Sequence, residues 1–92
     1  MAEDFEWDEM KNRLNWEKHG VRFEEAQFTF QDQSRLIYED KDHSGQEKRF
    51  FCFGKVRGKI LTVRFTYREG KIRIIGAGFW RKGKELYEKN LK

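Results

Sequence analysis

The 92-residue chain contains no proline and a single cysteine, Cys52. One cysteine excludes an intramolecular disulfide framework and a cysteine zinc cluster, so we expect a reducing, cytoplasmic location. No apolar run approaches the roughly 18 residues of a membrane helix, and we predict no membrane association. The acidic start, Met1-Ala2-Glu3-Asp4, does not resemble a signal peptide.

Aromatic side chains are what the sequence has in excess. Its mean hydropathy of -1.01 would suit a disordered chain, but 16% of the residues are aromatic, and nine of these are Phe. This composition indicates a small core built from large side chains. The length, and the lack of any linker or repeat, predict one continuous domain over residues 1–92.

The net charge of +4 conceals a segregation along the chain. Residues 1–47 hold 6 Lys/Arg and 13 Asp/Glu, a net charge of -7, whereas residues 48–92 hold 14 and 3, a net charge of +11. A basic half indicates an anionic partner, with nucleic acid as the first candidate. The alternative is that the two halves neutralise each other within one globule, and charge alone leaves both open.

The first part of the chain predicts one short strand and two helices. Phe5-Glu6-Trp7 suits a short strand, Asp8 a helix N-cap, and Gly20 a helix stop. A second short helix is predicted over residues 23–28. Helical spacing predicts that one face of the first helix is shared by Trp7, Met10, Leu14 and Val21.

From Arg35 onward the hydrophobic period is two, which predicts strands. The candidate strands are Arg35–Glu39, Lys48–Phe53, Ile60–Tyr67 and Lys71–Phe79. They are joined by an acidic stretch over 39–46, a loop over 54–58 and a tight turn at Glu69-Gly70, and residues 82–92 predict a last helix. The predicted fold class is therefore α+β, with two N-terminal helices, a four-stranded antiparallel sheet and a C-terminal helix.

The predicted hairpin at Glu69-Gly70 places two arginines on one face. A two-residue loop pairs Arg68 with Lys71, Thr66 with Arg73 and Arg64 with Ile75, so Arg64 and Arg73 become diagonal neighbours. Diagonal positions lie about 7–8 Å apart, which suits two guanidinium groups that hold one phosphate. An ordinary solvated sheet face would show the same pattern.

His19 and His43 are the only side chains that titrate near neutral pH without perturbation, and His43 and Glu47 are the candidate proton-transfer groups. His43 lies in a loop close in sequence to Glu47 and Arg49, a set that suits proton transfer beside a phosphate. His19 follows Lys18 at a predicted helix end, where capping is an equally good explanation. The loop offers no second cluster to complete a metal site, so we predict no metal and no cofactor.

The C-terminal segment interleaves aromatic rings with cations. Such a pattern suits base stacking combined with phosphate neutralisation, although Trp80 and Tyr87 could equally dock a helix on the sheet. The candidate RNA-binding residues are Arg64, Arg73, Trp80, Arg81, Lys82 and Lys84.

Several motifs resemble the BrnT toxin family. They comprise Phe5-Glu6-Trp7-Asp8, Lys11-Asn12, Asn15, Lys18-His19-Gly20-Val21, Phe23-Glu24-Glu25-Ala26, Asp42-His43-Ser44, Glu47, Arg49-Phe50, Gly54, Leu61-Thr62-Val63-Arg64-Phe65-Thr66, Gly70 and Arg73-Ile74-Ile75. The resemblance covers nearly the whole chain. It implies a ribonuclease toxin of a type II toxin–antitoxin pair with a RelE-like fold.

The resemblance also implies a mechanism and partners. RNA would be cleaved without metal, by attack of the ribose 2′-hydroxyl on the adjacent phosphate. A DNA-binding BrnA-like antitoxin would form a hetero-oligomer with the toxin, and operator DNA would be bound only through it. The candidate catalytic residues, with Lys18 and His19 included on the family signature alone, are His43, Glu47, Arg49, Arg64, Arg73, Arg81, Tyr87, Lys18 and His19.

The chain departs from the family pattern at one place. Many members carry Ser-Ala-Arg where this sequence has Gly76-Ala77-Gly78, so the cation expected at position 78 is absent. Arg81 is a candidate to replace it. The alternative hypothesis is a catalytically weak or inactive module that binds nucleic acid or the antitoxin.

Overall fold

A computed structural model describes residues 4–91, which form three α-helices and a five-stranded mixed sheet, an α+β fold. In chain order the elements are β1 (Phe5–Trp7), α1 (Glu9–His19), α2 (Phe23–Ala26), a 3₁₀ helix (Gln27–Gln31), β2 (Leu36–Glu39), a 3₁₀ turn (Lys41–His43), β3 (Phe50–Val56), β4 (Lys59–Arg68), β5 (Lys71–Gly78) and α3 (Arg81–Asn90). None of the helices in this range is long and apolar enough to cross a membrane.

The sheet differs from the predicted four-stranded antiparallel one because β1 joins it. The strand order is β1-β5-β4-β3-β2, and β1 pairs with β5 in parallel. This register sets Phe5 beside Ile72 and Trp7 beside Ile74, and the two aromatic rings pack against the core there. The short N-terminal strand is thus confirmed, but an all-antiparallel sheet is wrong.

Helix α1 begins and ends where the sequence predicts, yet it docks by a different face. The Asp8 carboxylate accepts hydrogen bonds from two backbone N–H groups of the first turn, and Gly20 ends the helix at φ 68°. Met10 and Leu14, predicted to face the core, are 62% and 47% exposed. The buried positions of the helix are instead Asn12 and Asn15.

The buried asparagines replace an apolar helix face with hydrogen bonds. Asn15 Nδ2 donates to the carbonyl oxygens of Val21 and Ala77, at 2.9 Å each, and its Oδ1 accepts from the Ala77 N–H at 3.1 Å. Asn12 Oδ1 accepts from the Phe23 N–H at 2.8 Å. Because all these polar groups are satisfied, the two amides can be buried. Asn15 fixes α1 against β5, and Asn12 fixes it against the start of α2.

In the middle of the chain, the end of the second helix and the end of β3 differ from the predicted boundaries. The second helix ends at Ala26 and continues as the 3₁₀ helix to Gln31. Strand β3 extends to Val56, so the turn to β4 is Arg57-Gly58 rather than a loop over 54–58; these two residues adopt φ 53° and 79°. Gly54 lies inside β3, and the close backbone of Thr29 requires a glycine there. A Cβ at this position would lie 2.6 Å from the Thr29 carbonyl oxygen.

The β4–β5 hairpin follows the predicted turn but contains a bulge. Glu69 and Gly70 adopt φ 52° and 78°, as a two-residue turn requires, and Thr66 pairs with Arg73. A register shift after Arg64 then sets Arg64 opposite Gly76 instead of Ile75. The predicted pairing of Arg64 is therefore wrong by one residue. The last helix starts at Arg81, one residue early, and Lys92 lies outside the described residues.

The two faces of the sheet have different coverings. The apolar face, closed by residues 21–31, carries the buried side chains of Cys52, Leu61, Val63, Phe65, Ile72 and Ile74. The polar face carries Phe51, Phe53, Thr62, Arg64, Thr66 and Arg73. Helix α3 covers one end of it, where Tyr87 packs with Phe53 and Ile60, and the rest is left open.

Candidate nucleic-acid interface

A cationic pocket of about 230 Å³ lies between α1 and the polar face. Its charged groups come from elements far apart in sequence: Lys11, Lys18 and His19 from α1, and Arg64 from β4. Lys11 and Lys18 share one side of the helix because they are seven residues, or two turns, apart. We define the cationic pocket by its lining residues, which are Lys11, Leu14, Asn15, Lys18, His19, Arg64, Ile75, Gly76 and Trp80.

The wall of the cationic pocket is the indole of Trp80, which lies over Gly78. A Cβ on Gly78 would stand 2.5 Å from Cε2 of the indole, so only glycine permits this ring position. The ring of His19 meets Trp80 edge to face, with 5.3 Å between the ring centroids. Gly78 is therefore the residue that admits a tryptophan to the site.

Asp40 links the cationic pocket to His43. Its carboxylate is only 6% exposed, and Oδ2 lies 2.9 Å from Nδ1 of His43 and 3.9 Å from Nη2 of Arg64. A carboxylate only accepts hydrogen bonds, so it favours the tautomer with the proton on Nδ1 and leaves Nε2 free to accept a proton. The buried carboxylate of Asp40 thus orients both the imidazole of His43 and the guanidinium of Arg64.

Asp40 is not among the site residues predicted from the sequence. The signal was its spacing from His43: a single 3₁₀ turn, Lys41–His43, brings residues three apart onto one side. Lys11 was also missed, although its seven-residue spacing from Lys18 was visible in the sequence.

A second cavity, of about 500 Å³, lies between β2, β3 and the start of α3. We call it the aromatic cavity. It contains the predicted site residues His43, Trp80 and Lys82, and it shares Trp80 with the cationic pocket. The remaining lining residues are Tyr38, Glu39, Asp40, Lys41, Asp42, Phe51, Phe53, Thr62, Gly83 and Leu86.

A third opening, the α3 cleft, lies beside the first turn of α3 and measures about 420 Å³. Four of its residues are cations, namely Lys55, Lys59, Arg81 and Lys84. The Lys59 ammonium stands 5.7 Å from the centroid of the exposed Phe79 ring. The interleaved aromatic and cationic residues of the C-terminal segment therefore face one common surface with Trp80.

Two predicted site residues are held elsewhere by ion pairs. Glu47 forms a two-pronged pair with Arg68 at 3.0–3.1 Å, rather than lying with His43. Arg73 donates from Nη1 to Oε2 of Glu6 at 3.1 Å. Because Glu6 lies on β1 and Asp40 follows β2, Arg73 and Arg64 have carboxylate partners towards opposite edges of the sheet.

Tyr87 is the predicted site residue that lies farthest inside the protein. It is 3% exposed, and its hydroxyl donates to Oδ2 of Asp32 at 2.5 Å. Burial, reinforced by the Asp32 carboxylate, raises the pKa of Tyr87 to about 12. The ring of Tyr87 thus packs between α3 and the sheet, where neither of its faces is open to stack on an RNA base.

The backbone of Arg49 is hydrogen-bonded to the loop that carries His43. Arg49 N–H donates to Ser44 Oγ at 2.9 Å, and its carbonyl accepts from the Asp40 N–H at 2.7 Å, which closes the loop that carries His43.

Burial raises the pKa of Asp32, but hydrogen bonds from Tyr87, Lys55 and Ser34 outweigh it and hold that pKa below its usual value. Among residues 4–91, no three His, Cys, Asp or Glu side chains are grouped to hold a metal ion.

Comparison with known proteins gives one family match. A family model described as ribonuclease toxin, BrnT, of type II toxin-antitoxin system matches residues 7–83. This range contains every residue of the cationic pocket and ends within the first turn of α3. A search of curated proteins finds no match.

Proposed function

This chain, matched over residues 7–83 of its 92, belongs to the BrnT family of type II toxin–antitoxin ribonuclease toxins, and we propose that it is a metal-independent endoribonuclease. The observation that carries the proposal is the cationic pocket. Lys11, Lys18 and Arg64 converge there from α1 and β4. Three cations that line one small pocket suit a backbone phosphate and the extra negative charge of a pentavalent transition state.

The proposed reaction needs no group beyond this chain and RNA. The 2′-oxygen forms a bond to phosphorus while the bond from phosphorus to the 5′-oxygen breaks, which leaves a 2′,3′-cyclic phosphate and a 5′-hydroxyl. One proton leaves the 2′-hydroxyl and one is delivered to the 5′-oxygen. Arg64 and the two lysines stabilise the charge on the phosphoryl oxygens.

The two histidines are the proposed proton-transfer groups. His43 is held at Nδ1 by Asp40, so Nε2 accepts the proton of the 2′-hydroxyl. His19 lines the cationic pocket, on the other side of Trp80, and delivers the proton to the leaving oxygen. Lys82, Lys84 and Arg81 carry the flanking RNA along the aromatic cavity and the α3 cleft.

A type II toxin family implies an antitoxin partner and an RNA target. We propose that the antitoxin is a BrnA-like DNA-binding protein, that it forms a hetero-oligomer with the toxin in the cytoplasm, and that operator DNA is bound only through it. The packing of helices on a mixed sheet supports a RelE-like fold, which stays a prediction.

The test is cleavage of total RNA by the purified protein, with and without EDTA. We expect EDTA-resistant cleavage that Arg64→Gln reduces by at least about 100-fold, the usual scale for a group that stabilises transition-state charge. The matched control is Arg57→Gln. Arg57 lies 3.8 Å from Glu25, much as Arg64 lies 3.9 Å from Asp40, but it is in a turn outside the cationic pocket. Full activity of Arg64→Gln, or cleavage abolished by EDTA, would contradict the proposal.

The second candidate is a module that binds RNA or antitoxin without cleaving. The position of Trp80 over Gly78 favours it, since the indole supplies a stacking surface there. This candidate predicts salt-dependent RNA binding by the wild-type protein with no cleavage products at any time point.

A further inference from the structure

The aromatic cavity is lined by rings instead of being filled by them. Phe51 and Phe53 stack nearly parallel, at 19° and 5.9 Å between centroids, and Tyr38 meets Phe53 edge to face at 5.8 Å. Phe53 is buried, Phe51 is half-buried, and Tyr38 remains 40% exposed. Such a wall offers flat apolar surface of the kind on which unpaired bases stack.

The cavity lies next to the proposed phosphate site. Trp80 lines both it and the cationic pocket, and Asp40, in the cavity wall, contacts Arg64 of the pocket. Lys82 adds a cation at the cavity itself. RNA whose phosphate lies on Arg64 would therefore present a neighbouring base to the aromatic rings.

Three carboxylates line the cavity and outnumber its two lysines, Lys41 and Lys82. Glu39, Asp40 and Asp42 all line it, and an ionised carboxylate accepts hydrogen bonds but donates none. Adenine, cytosine and guanine each carry an exocyclic amino group that can donate to such an acceptor, whereas uracil has carbonyl oxygens in its place.

We propose that the aromatic cavity binds one unpaired RNA base that carries an exocyclic amino group, and that it discriminates against uracil. This inference rests on the proposed function for the identity of the polymer. It adds a base preference that a backbone-binding cationic pocket alone would not have.

The test is titration of the full chain with AMP, CMP, GMP and UMP, followed by backbone amide NMR shifts. We expect saturable shifts at residues of the aromatic cavity, with UMP binding about tenfold more weakly than the best of the other three. Shifts confined to α1 and the α3 cleft, or equal affinity for all four nucleotides, would overturn the inference.

Two matched tyrosine variants test the rings. Tyr38→Leu removes a 40% exposed ring that meets Phe53 edge to face, and Tyr67→Leu removes a 51% exposed ring that meets Phe65 edge to face, outside the cavity. We expect Tyr38→Leu to weaken nucleotide binding about tenfold and Tyr67→Leu to leave it unchanged. Phe51→Leu is the second cavity variant if Tyr38→Leu does not fold. Equal binding by the wild-type protein and a folded cavity variant would overturn the inference.

Nucleotide binding and RNA cleavage are separate measurements, so the two proposals can fail separately. Cleavage of RNA without nucleotide binding in the aromatic cavity would contradict the base site and support the ribonuclease proposal. Selective nucleotide binding in the cavity without cleavage of any RNA would contradict the ribonuclease proposal and support the base site.

Discussion

The apolar face of the sheet is sealed by residues 21–31, whereas α3 covers only one end of the polar face. On the sealed face, rings such as Phe23, Phe30 and Phe65 interlock. On the other, Arg64 and Arg73 pair with carboxylates towards opposite edges of the sheet, and three openings remain, each lined in part by Trp80. The larger core cluster and the residues proposed to bind RNA thus lie on opposite sides of one sheet.

The largest effect on stability is expected in the sealed face. Phe65 is fully buried and contacts the rings of Phe30 and Phe50. Phe65→Ala should lower the free energy of unfolding by about 3–5 kcal/mol, because it leaves a cavity that the surrounding rings cannot fill. Urea denaturation measures this loss. Phe79→Ala, at a 43% exposed ring, is the control, and an equal loss in both variants would erase the contrast between the faces.

The next effect concerns the covered end of the polar face. Gly83 allows α3 to approach the sheet, since a Cβ there would stand 2.0 Å from Thr62 Oγ1 and 2.8 Å from Phe53 Cδ1. Gly83→Ala should cost about 1–3 kcal/mol, even though alanine favours helix. Gly45→Ala, where a Cβ meets nothing within 4 Å, is the control. An unchanged melting temperature for Gly83→Ala would show that α3 is not held tightly.

The Tyr87–Asp32 hydrogen bond should add a pH dependence at the same end. Tyr87→Phe should cost about 1–3 kcal/mol, because it removes a hydrogen bond to a charged group. The pKa of Asp32 is lowered in the folded state, so its stabilisation is present above its unfolded pKa and is lost as the pH falls through the folded one. The pKa of Tyr87 is raised from 10.0 to about 12, so the contribution of Tyr87 to stability is constant below pH 10 and falls as the pH rises from 10 to 12.

Thermal unfolding across pH measures both limbs. In Tyr87→Phe the alkaline loss should be smaller than in the wild-type protein, and the acid loss should shift to higher pH. Superimposable pH profiles for the two proteins would exclude this hydrogen bond as their source.

The smallest effect on stability is expected at the open end of the polar face. Arg64→Gln and Arg73→Gln should each change the free energy of unfolding by about 1 kcal/mol or less, because their ion pairs are only partly buried. Diagonal clamping of one phosphate by both arginines predicts equal losses of cleavage. The observed partners predict a larger loss for Arg64, which lines the cationic pocket, than for Arg73, which is held by Glu6. Cleavage rates of the two variants, measured side by side, decide between them.

Local chemistry made parts of this fold predictable. The ends of α1 were predictable from Asp8 and Gly20. Few residue types can accept hydrogen bonds at an N-cap, and few adopt the positive φ at which this helix ends. The same holds for the Glu69-Gly70 turn. The docking face of α1 was not predictable from hydropathy, since Asn12 and Asn15 are buried by hydrogen bonds to backbone that folds against them from elsewhere.

The candidate site was predictable in its residue types more than in its grouping. Lys18, His19 and Arg64 were selected and do meet, but the bulge after Arg64 depends on tertiary pairing that no local pattern encodes. Glu47 lies with Arg68 instead of His43, since strand pairing brings a residue 21 positions away closer than one four positions away. Trp80 belongs to the cationic pocket only because Gly78 has no side chain.

The hydrogen bonds from Asn15 to Ala77 also bear on the order of events during synthesis. They join residues 62 positions apart, and the cationic pocket needs groups from Lys11 to Trp80. A nascent chain emerges from its N-terminus, so α1 must wait for β5 before its lysines and Arg64 face one cavity. Partial translation products therefore lack the cationic pocket. The pocket forms only after nearly all of residues 7–83 have left the ribosome.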